Sequence, residues 1–263
     1  MSNKHCKVVI FDLDETLGYF TQLDIFVRCL EKYYNKNISN NEFFDIIDLF
    51  DKYLRPNILH ILKYLKDKKD KNFCSKIMLY TNNNGGKVWP QKLVDYFNYK
   101  LDYQLFDNVI CSFKIRDKII EPNRTSNNKI YNDVIRCSKI PSNTHMFFLD
   151  DKHHEQMVHH NVYYINIKPY VYNYTHNELI NNYKDKYKID DDNFYSIIKN
   201  YINGFEYSPK MITNEEFNVD KILSKSILNE LNYFFNKFKK TLKSNKKYRN
   251  NNKTLKALKK IKK

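Results

Sequence analysis

The sequence predicts an α/β fold, a doubly wound parallel sheet followed by a C-terminal helical extension and a basic tail. Three observations predict it. Short continuous apolar runs each end in polar or acidic residues, stretches of helical period lie between them, and the strand rhythm stops after about Tyr172.

Lys7 to Phe11 (KVVIF) is an unbroken apolar run that stops at acidic residues, the pattern of a strand buried on both faces whose carboxyl end meets a site. Lys76 to Tyr80 (KIMLY), closed by Thr81 and Asn82, repeats it, as does His145 to Leu149 (HMFFL), closed by Asp150 and Asp151. Val162 to Ile167 (VYYINI) reads as a later strand of the same sheet. Asn57 to Leu65 follows Pro56 and carries Ile58, Ile61, Leu62 and Leu65 on one face, so it is expected to be a helix. Val88 to Phe97 and Lys129 to Cys137 are two further crossover helices. Strands alternating with helices imply parallel pairing with right-handed connections. Asn173 to Phe235 reads as helical with a turn near Gly204 and Pro209, and carries no identifiable chemistry. The expected organisation is a sheet domain over residues 1–172, a helical extension over 173–235 and a tail over 236–263.

At 263 residues the chain is long enough for a sizeable core, and 42% hydrophobic with 16% aromatic residues offsets the entropy of ordering it. Only 4 Gly and 6 Pro exclude a Gly-rich dinucleotide fingerprint and a Pro-rich linker. The net charge of +15 is unevenly placed. Lys237 to Lys263 holds 12 Lys and one Arg without an acid; 45 basic residues less these 13 leave 32 against 30 acids in the remainder. Such a tail attracts polyanions, whether nucleic acid, an acidic protein or an anionic membrane surface, or else serves as a solvated solubility segment. Five scattered Cys without a CxxC pair read as reduced thiols, and neither a membrane-length apolar stretch nor a signal-peptide core is evident. An intracellular protein, cytoplasmic or nuclear and not secreted, is expected.

In open α/β sheets ligands bind beyond the carboxyl ends of the strands, so Asp12, Asp14, Thr81, Asp150 and Asp151 are expected to converge. Asp12 and Asp14, two apart on extended chain, point the same way. One can attack a phosphate ester while the other shuttles a proton, provided a cation offsets the charge repulsion between carboxylate and phosphate. Hard oxygen donors suit Mg2+, and Asp150 with Asp151 supplies them at the end of another strand. Thr81 offers a hydroxyl to a phosphoryl oxygen. Lys129, 21 residues before Asp150 and at the start of a helix, is the chosen lysine for the cage, with Arg124, Lys118 and Lys114 as substitutes.

On these residues the chain resembles the haloacid dehalogenase superfamily of phosphohydrolases: Asp12-Leu13-Asp14-Glu15-Thr16, Thr81 after the second strand, a lysine, and the Asp150-Asp151 pair. FDLDETL, Leu54-Arg55-Pro56, YTN, LFDNVI and LDD, in that order, are similar to the phosphatases of the RNA polymerase II C-terminal domain and their nuclear-LIM-interactor-like relatives. The similarity spans residues 7 to about 170. In this sequence Asn82-Asn83-Asn84-Gly85-Gly86 stands where that group has Ala-Ser after the Thr. The resemblance implies a Rossmann-like core and a Mg2+-dependent phosphomonoester hydrolase in which Asp12 takes the phosphoryl group. Asp14 would act as acid and then base, and the cation would be held by Asp12, the Asp14 main-chain carbonyl and Asp150, with Asp151 beside them. The expected substrate is a phosphorylated protein. The alternatives are a polynucleotide end phosphatase guided by the tail, or a non-catalytic nucleic-acid-binding protein of the same fold.

Three other features have bland and functional readings. His153, His154, His159 and His160 are surface histidines, a group touching substrate at the site's mouth, or a zinc site, although the spacing is not H-E-x-x-H. Trp89 packs in the core or belongs to a flap following Gly85 and Gly86. The Tyr-rich run Tyr163 to Tyr174 is buried strand or a stacking surface for bases. Nothing between the first strand and Leu54 reads as a large lid.

Overall fold

The computed structural model describes residues 7 to 237; the tail beyond Lys237, with its expected polyanion binding, and Cys6 lie outside them. The chain begins with β1 (Lys7–Phe11), then runs through α1 (Thr21–Tyr34), α2 (Asn40–Leu49), α3 (Ile58–Asp70), β2 (Lys76–Tyr80) and α4 (Val88–Leu101). β3 (Asn108–Ile110) and a small hairpin, β4 (Lys114–Ile115) and β5 (Lys118–Ile119), precede α5 (Tyr131–Ser138). β6 (His145–Asp150) and β7 (Val162–Asn166) complete the strands, and α6 (His176–Tyr187), α7 (Phe194–Asn203) and α8 (Asn214–Lys237) follow.

Five strands form one sheet in the order β3-β2-β1-β6-β7, every neighbouring pair parallel. The fold is thus α/β, with strand order reversing between β1 and β6. That reversal opens a crevice at the carboxyl ends of these two strands. The continuous apolar runs are explained by helices on both faces. Val9, Phe11, Ile77, Leu79, Phe147 and Leu149 join one buried cluster, while Val8, Ile10, Met78, Tyr80, Met146 and Phe148 join the other. Alternate residues of each strand therefore serve opposite cores, and neither face tolerates a polar residue until the strand ends.

The helices after residue 172 share the larger of these clusters, through Leu179, Ile180, Phe194, Ile198, Ile227 and Leu231. Capping boxes at Ser39 with Glu42 and at Thr175 with Glu178 start α2 and α6. The Lys7 ammonium donates to the carbonyls of Phe234 and Phe235 in α8 at 2.6 and 2.8 Å. This part of α8 therefore lies beside the first residue of β1, at the far end of that strand from Asp12.

Several elements differ from the sequence expectation. The segment between β1 and Leu54 contains two packed helices, α1 and α2. Residues Phe20, Phe26, Phe43 and Phe50 of this segment are fully buried, so it is core rather than bare connection. Lys129 does not open a helix. It precedes α5 by two residues, and Ile130, extended at φ −132°, is the cap. Pro56 lies before the Asn57 cap of α3, whose φ of 63° sets the chain's entry, so proline is not the first helical residue. Trp89 is in the core at 8% exposure, edge-on to Phe43, rather than in a flap. Among the described residues the four cysteines are free thiols, and no helix is long and apolar enough to cross a membrane.

Candidate active site

β1 ends at Phe11 and the Asp12 amide donates to Leu149 O at 2.9 Å, so the ladder to β6 carries Asp12 to the level of Asp150. The chain then turns tightly. Glu15 takes a left-handed φ of 60° and its amide donates to Gly18 O at 2.7 Å. A Cβ on Gly18 would lie 2.5 Å from Tyr53 O, so only glycine fits where this turn passes the Leu54 segment. Arg55 fastens the turn from below. Its Nε donates to Thr16 O, and its Nη2 to Glu15 O and Lys168 O, at 2.6 to 2.9 Å.

The cleft above the strand ends has a volume of about 390 Å³ and is lined by Asp12, Asp14, Thr81, Lys129, Asp150 and Asp151 among others. All six residues singled out in the sequence thus face one space. Carboxylate oxygens of Asp12, Asp150 and Asp151 lie within 4.8 Å of one another, and all three residues are buried. Lys129 bridges two of them, its Nζ 2.5 Å from Asp12 Oδ1 and 2.6 Å from Asp150 Oδ2. The Asp14 carboxylate stands outside that trio, accepting from Asn83 Nδ2 at 2.7 Å. Its side chain is therefore held by the loop after β2 and is not one of the three clustered carboxylates, so Asp14 does not stand among the expected ligands by its side chain.

Thr16 joins Asp151 in both directions, its hydroxyl donating to Oδ1 at 3.3 Å and accepting from the Asp151 amide at 3.2 Å. Asp151 Oδ2 has no donor despite being buried. A hydrogen bond between it and the neighbouring Asp12 carboxyl requires a shared proton. An orphaned oxygen among three clustered carboxylates fits a hard divalent cation, whose charge would supply what the protein's donors do not.

Burial raises the Asp12 pKa above the usual carboxylate range, with Lys129 opposing it. Asp14 is pushed up to about 6 by burial, against the Asn83 hydrogen bond. Asp151 is pushed up to about 7 by burial first and then by the charges of Asp12 and Asp150. For Asp150 burial again acts upward, but His154 and Lys129 outweigh it and hold the group below its ordinary value. Neighbouring carboxyls driven in opposite directions are a frequent property of acid–base sites.

The Thr81 hydroxyl accepts from the Asn83 amide at 3.0 Å, which leaves its proton available to a ligand. Arg124 is no cage residue. It is buried and donates to the carbonyls of Thr81 and Cys111 and to Asn82 Oδ1, bracing the loop after β2. Lys114 and Lys118 lie on the hairpin, so of the four cations considered only Lys129 meets the carboxylates. Of the histidines, His154 reaches Asp150 with Nε2 at 3.3 Å, while His159 stacks on Tyr131 and His153 on Tyr164. Among the described residues they form no metal-ligating cluster. Asn83 and Arg55 carry no assigned role in the sequence, whereas His154 is among the histidines read as surface groups, as contacts at the site's mouth or as a zinc site, and it lines the cleft. Only the Leu54-Arg55-Pro56 string points to one of the first two.

Removing the Lys129 charge leaves buried carboxylates facing one another. Lys129→Met is therefore expected to destabilise the cation-free protein by about 3 kcal/mol. Urea unfolding with and without added Mg2+ checks this, since a bound cation would recover part of the loss. Unchanged stability in EDTA would contradict the assigned electrostatics.

Comparison with protein-family models, with curated proteins and with solved structures finds no match to this chain.

Proposed function

We propose that the protein is a Mg2+-dependent phosphomonoester hydrolase working through an aspartyl-phosphate at Asp12, with a haloacid-dehalogenase-like arrangement of its core. The observation that carries this reading is the meeting of Asp12, Asp150 and Asp151 within 4.8 Å at the strand-order reversal, with Lys129 on two of them. A cation held by these carboxylates and the Asp14 main-chain carbonyl would neutralise phosphoryl oxygens so that an anionic nucleophile can approach.

In this reading an Asp12 carboxylate oxygen attacks phosphorus and the bond to the leaving oxygen breaks. Asp14 delivers its proton to that oxygen. A water then attacks the aspartyl-phosphate as Asp14 takes the water's proton, which releases inorganic phosphate and restores both groups. A carboxyl titrating near 6 is suited to both directions of transfer at neutral pH. Thr81 and Lys129 bind the non-transferring oxygens.

The cleft is open and its walls come from α1, the loop after β2 and the loop after β6. This favours a phosphate carried on a protein segment over a small enclosed metabolite. The test is phosphate release from p-nitrophenyl phosphate, phosphopeptides, 5′-phosphorylated oligonucleotides and sugar phosphates, with Mg2+ and with EDTA. Release that requires Mg2+ and favours phosphopeptides is expected. No release from any substrate by folded, Mg2+-loaded protein would overturn the proposal, and preference for sugar phosphates would overturn the substrate class.

A further inference from the structure

Residues 114 to 119 form a hairpin joined to no other strand, paired only as Lys114 with Ile119 and Ile115 with Lys118. Two-stranded ribbons are marginal by themselves, so its position depends on what holds its base. Asn127 supplies that hold. Its Oδ1 accepts from the Lys114 amide at 3.2 Å while its carbonyl accepts from Asn82 Nδ2 at 2.8 Å and from Arg124. The hairpin is thereby tied to the loop that carries Thr81 and Asn83. Asn84 lines both the catalytic cleft and a second depression, whose other lining residues are Ile115, Arg116, Asp117 and Lys118.

The tip is unusual in composition. Arg116, the first of its two loop residues, has a φ of 51°, a conformation that glycine or asparagine ordinarily fills at lower cost. Strain kept at an exposed position is a reason to look for a role for the side chain. Asp117 is engaged by Lys114 at 3.4 Å, whereas Arg116 and Lys118 are exposed and form no ion pair among the described residues. Two unneutralised cations thus line a depression that shares Asn84 with the wall of the cleft.

We propose that this hairpin is a cationic subsite that holds the acidic flank of a phosphopeptide while its phosphoryl group lies at Asp12. The inference rests on the phosphatase reading and extends it to a substrate class, a phosphorylated residue with Asp, Glu or a second phosphoresidue close to it in sequence. A peptide fits better than an oligonucleotide end. Grooves for single-stranded nucleic acid combine cations with exposed aromatic platforms. The cleft's aromatic residues Phe20 and Trp89 are buried, at 1% and 8% exposure, and the second depression has none.

The experiment uses the full chain and its Arg116→Glu/Lys118→Glu variant. The substrates are p-nitrophenyl phosphate, a phosphoserine peptide with acidic flanks, its neutral-flank counterpart and a 5′-phosphorylated oligonucleotide. Each kcat/KM is divided by the same enzyme's value on p-nitrophenyl phosphate, which removes differences in folding or active fraction. The acidic peptide is expected to exceed the neutral one by about three- to tenfold at low salt, as two exposed charge contacts allow. The advantage should shrink as salt rises and disappear in the charge-reversed variant. Equal ratios for the two peptides in the wild type would overturn the inference. So would an advantage that survives charge reversal, or one shown by the oligonucleotide instead. Turnover of p-nitrophenyl phosphate without peptide discrimination defeats the subsite alone, whereas absence of turnover on every substrate defeats the reading of the site and the subsite with it.

Discussion

Asp12→Asn is expected to lower phosphate release by roughly 10⁴-fold or more, the scale seen when a nucleophile is removed. The substitution preserves shape and removes the attacking oxygen's charge. Stability should move the other way. Asp12 is 8% exposed and its carboxyl is held above the ordinary range chiefly by burial, so folding disfavours its ionised form. A neutral amide at this position would relieve repulsion among three clustered carboxylates, although it would also take one partner from Lys129. The thermal midpoint of the cation-free variant should therefore equal or exceed that of the parent. Loss of activity with an undiminished midpoint separates a role in the reaction from a role in folding. Retained activity would remove Asp12 from the mechanism, and activity lost together with the midpoint would make the residue structural.

Much of this site was legible in the sequence because a buried parallel strand has a sharp signature. Lys7–Phe11 and Lys76–Tyr80 are apolar at every position but the first, since each face meets its own core. The first polar residue after such a run marks the place where the chain leaves that core. The carboxylates fall at those places, so their convergence follows from the strand ends. β3 escaped notice because it has three residues, two of them only half-buried, and periodicity needs a longer window. The hairpin escaped because its loop is Arg-Asp, while the recognisable turn pairs carry Asn or Gly. α1 and α2 were not among the elements the sequence predicted. Lys129 was placed correctly against the carboxylates but wrongly on a helix. What positions it is the extended Ile130, whose amide donates to the Tyr80 hydroxyl at 3.0 Å, and no local pattern announces that tertiary contact.

Arg55→Ala is expected to be the most damaging change outside the cleft. Arg55 is 1% exposed, and burial lowers its pKa to about 10, so it remains charged at neutral pH. Its positive charge is met by three backbone carbonyls, with the Tyr170 ring 5.4 Å away and Asp220 and Asp151 acting at longer range. Two of those carbonyls belong to Glu15 and Thr16, in the turn that follows the Asp12 and Asp14 pair. Removing the guanidinium leaves the Thr16 and Lys168 carbonyls short of donors at about 1–3 kcal/mol each, while Glu15 O keeps the Tyr170 amide at 2.8 Å; with the packing lost around so large a buried side chain, a loss on the order of 5 kcal/mol is expected. For a chain of this size that lowers the midpoint by roughly 10–20 °C. Lysine should not rescue it, because one ammonium cannot reproduce a planar fork that reaches carbonyls from two segments. A turn that is no longer fastened also lets Asp14 drift from its place beside the cleft. Arg55→Lys, assayed well below its midpoint, should therefore lose kcat more than it raises KM. Calorimetry together with steady-state kinetics on that variant checks both parts. Full activity with a parental midpoint would show that the turn holds the two aspartates without help from below.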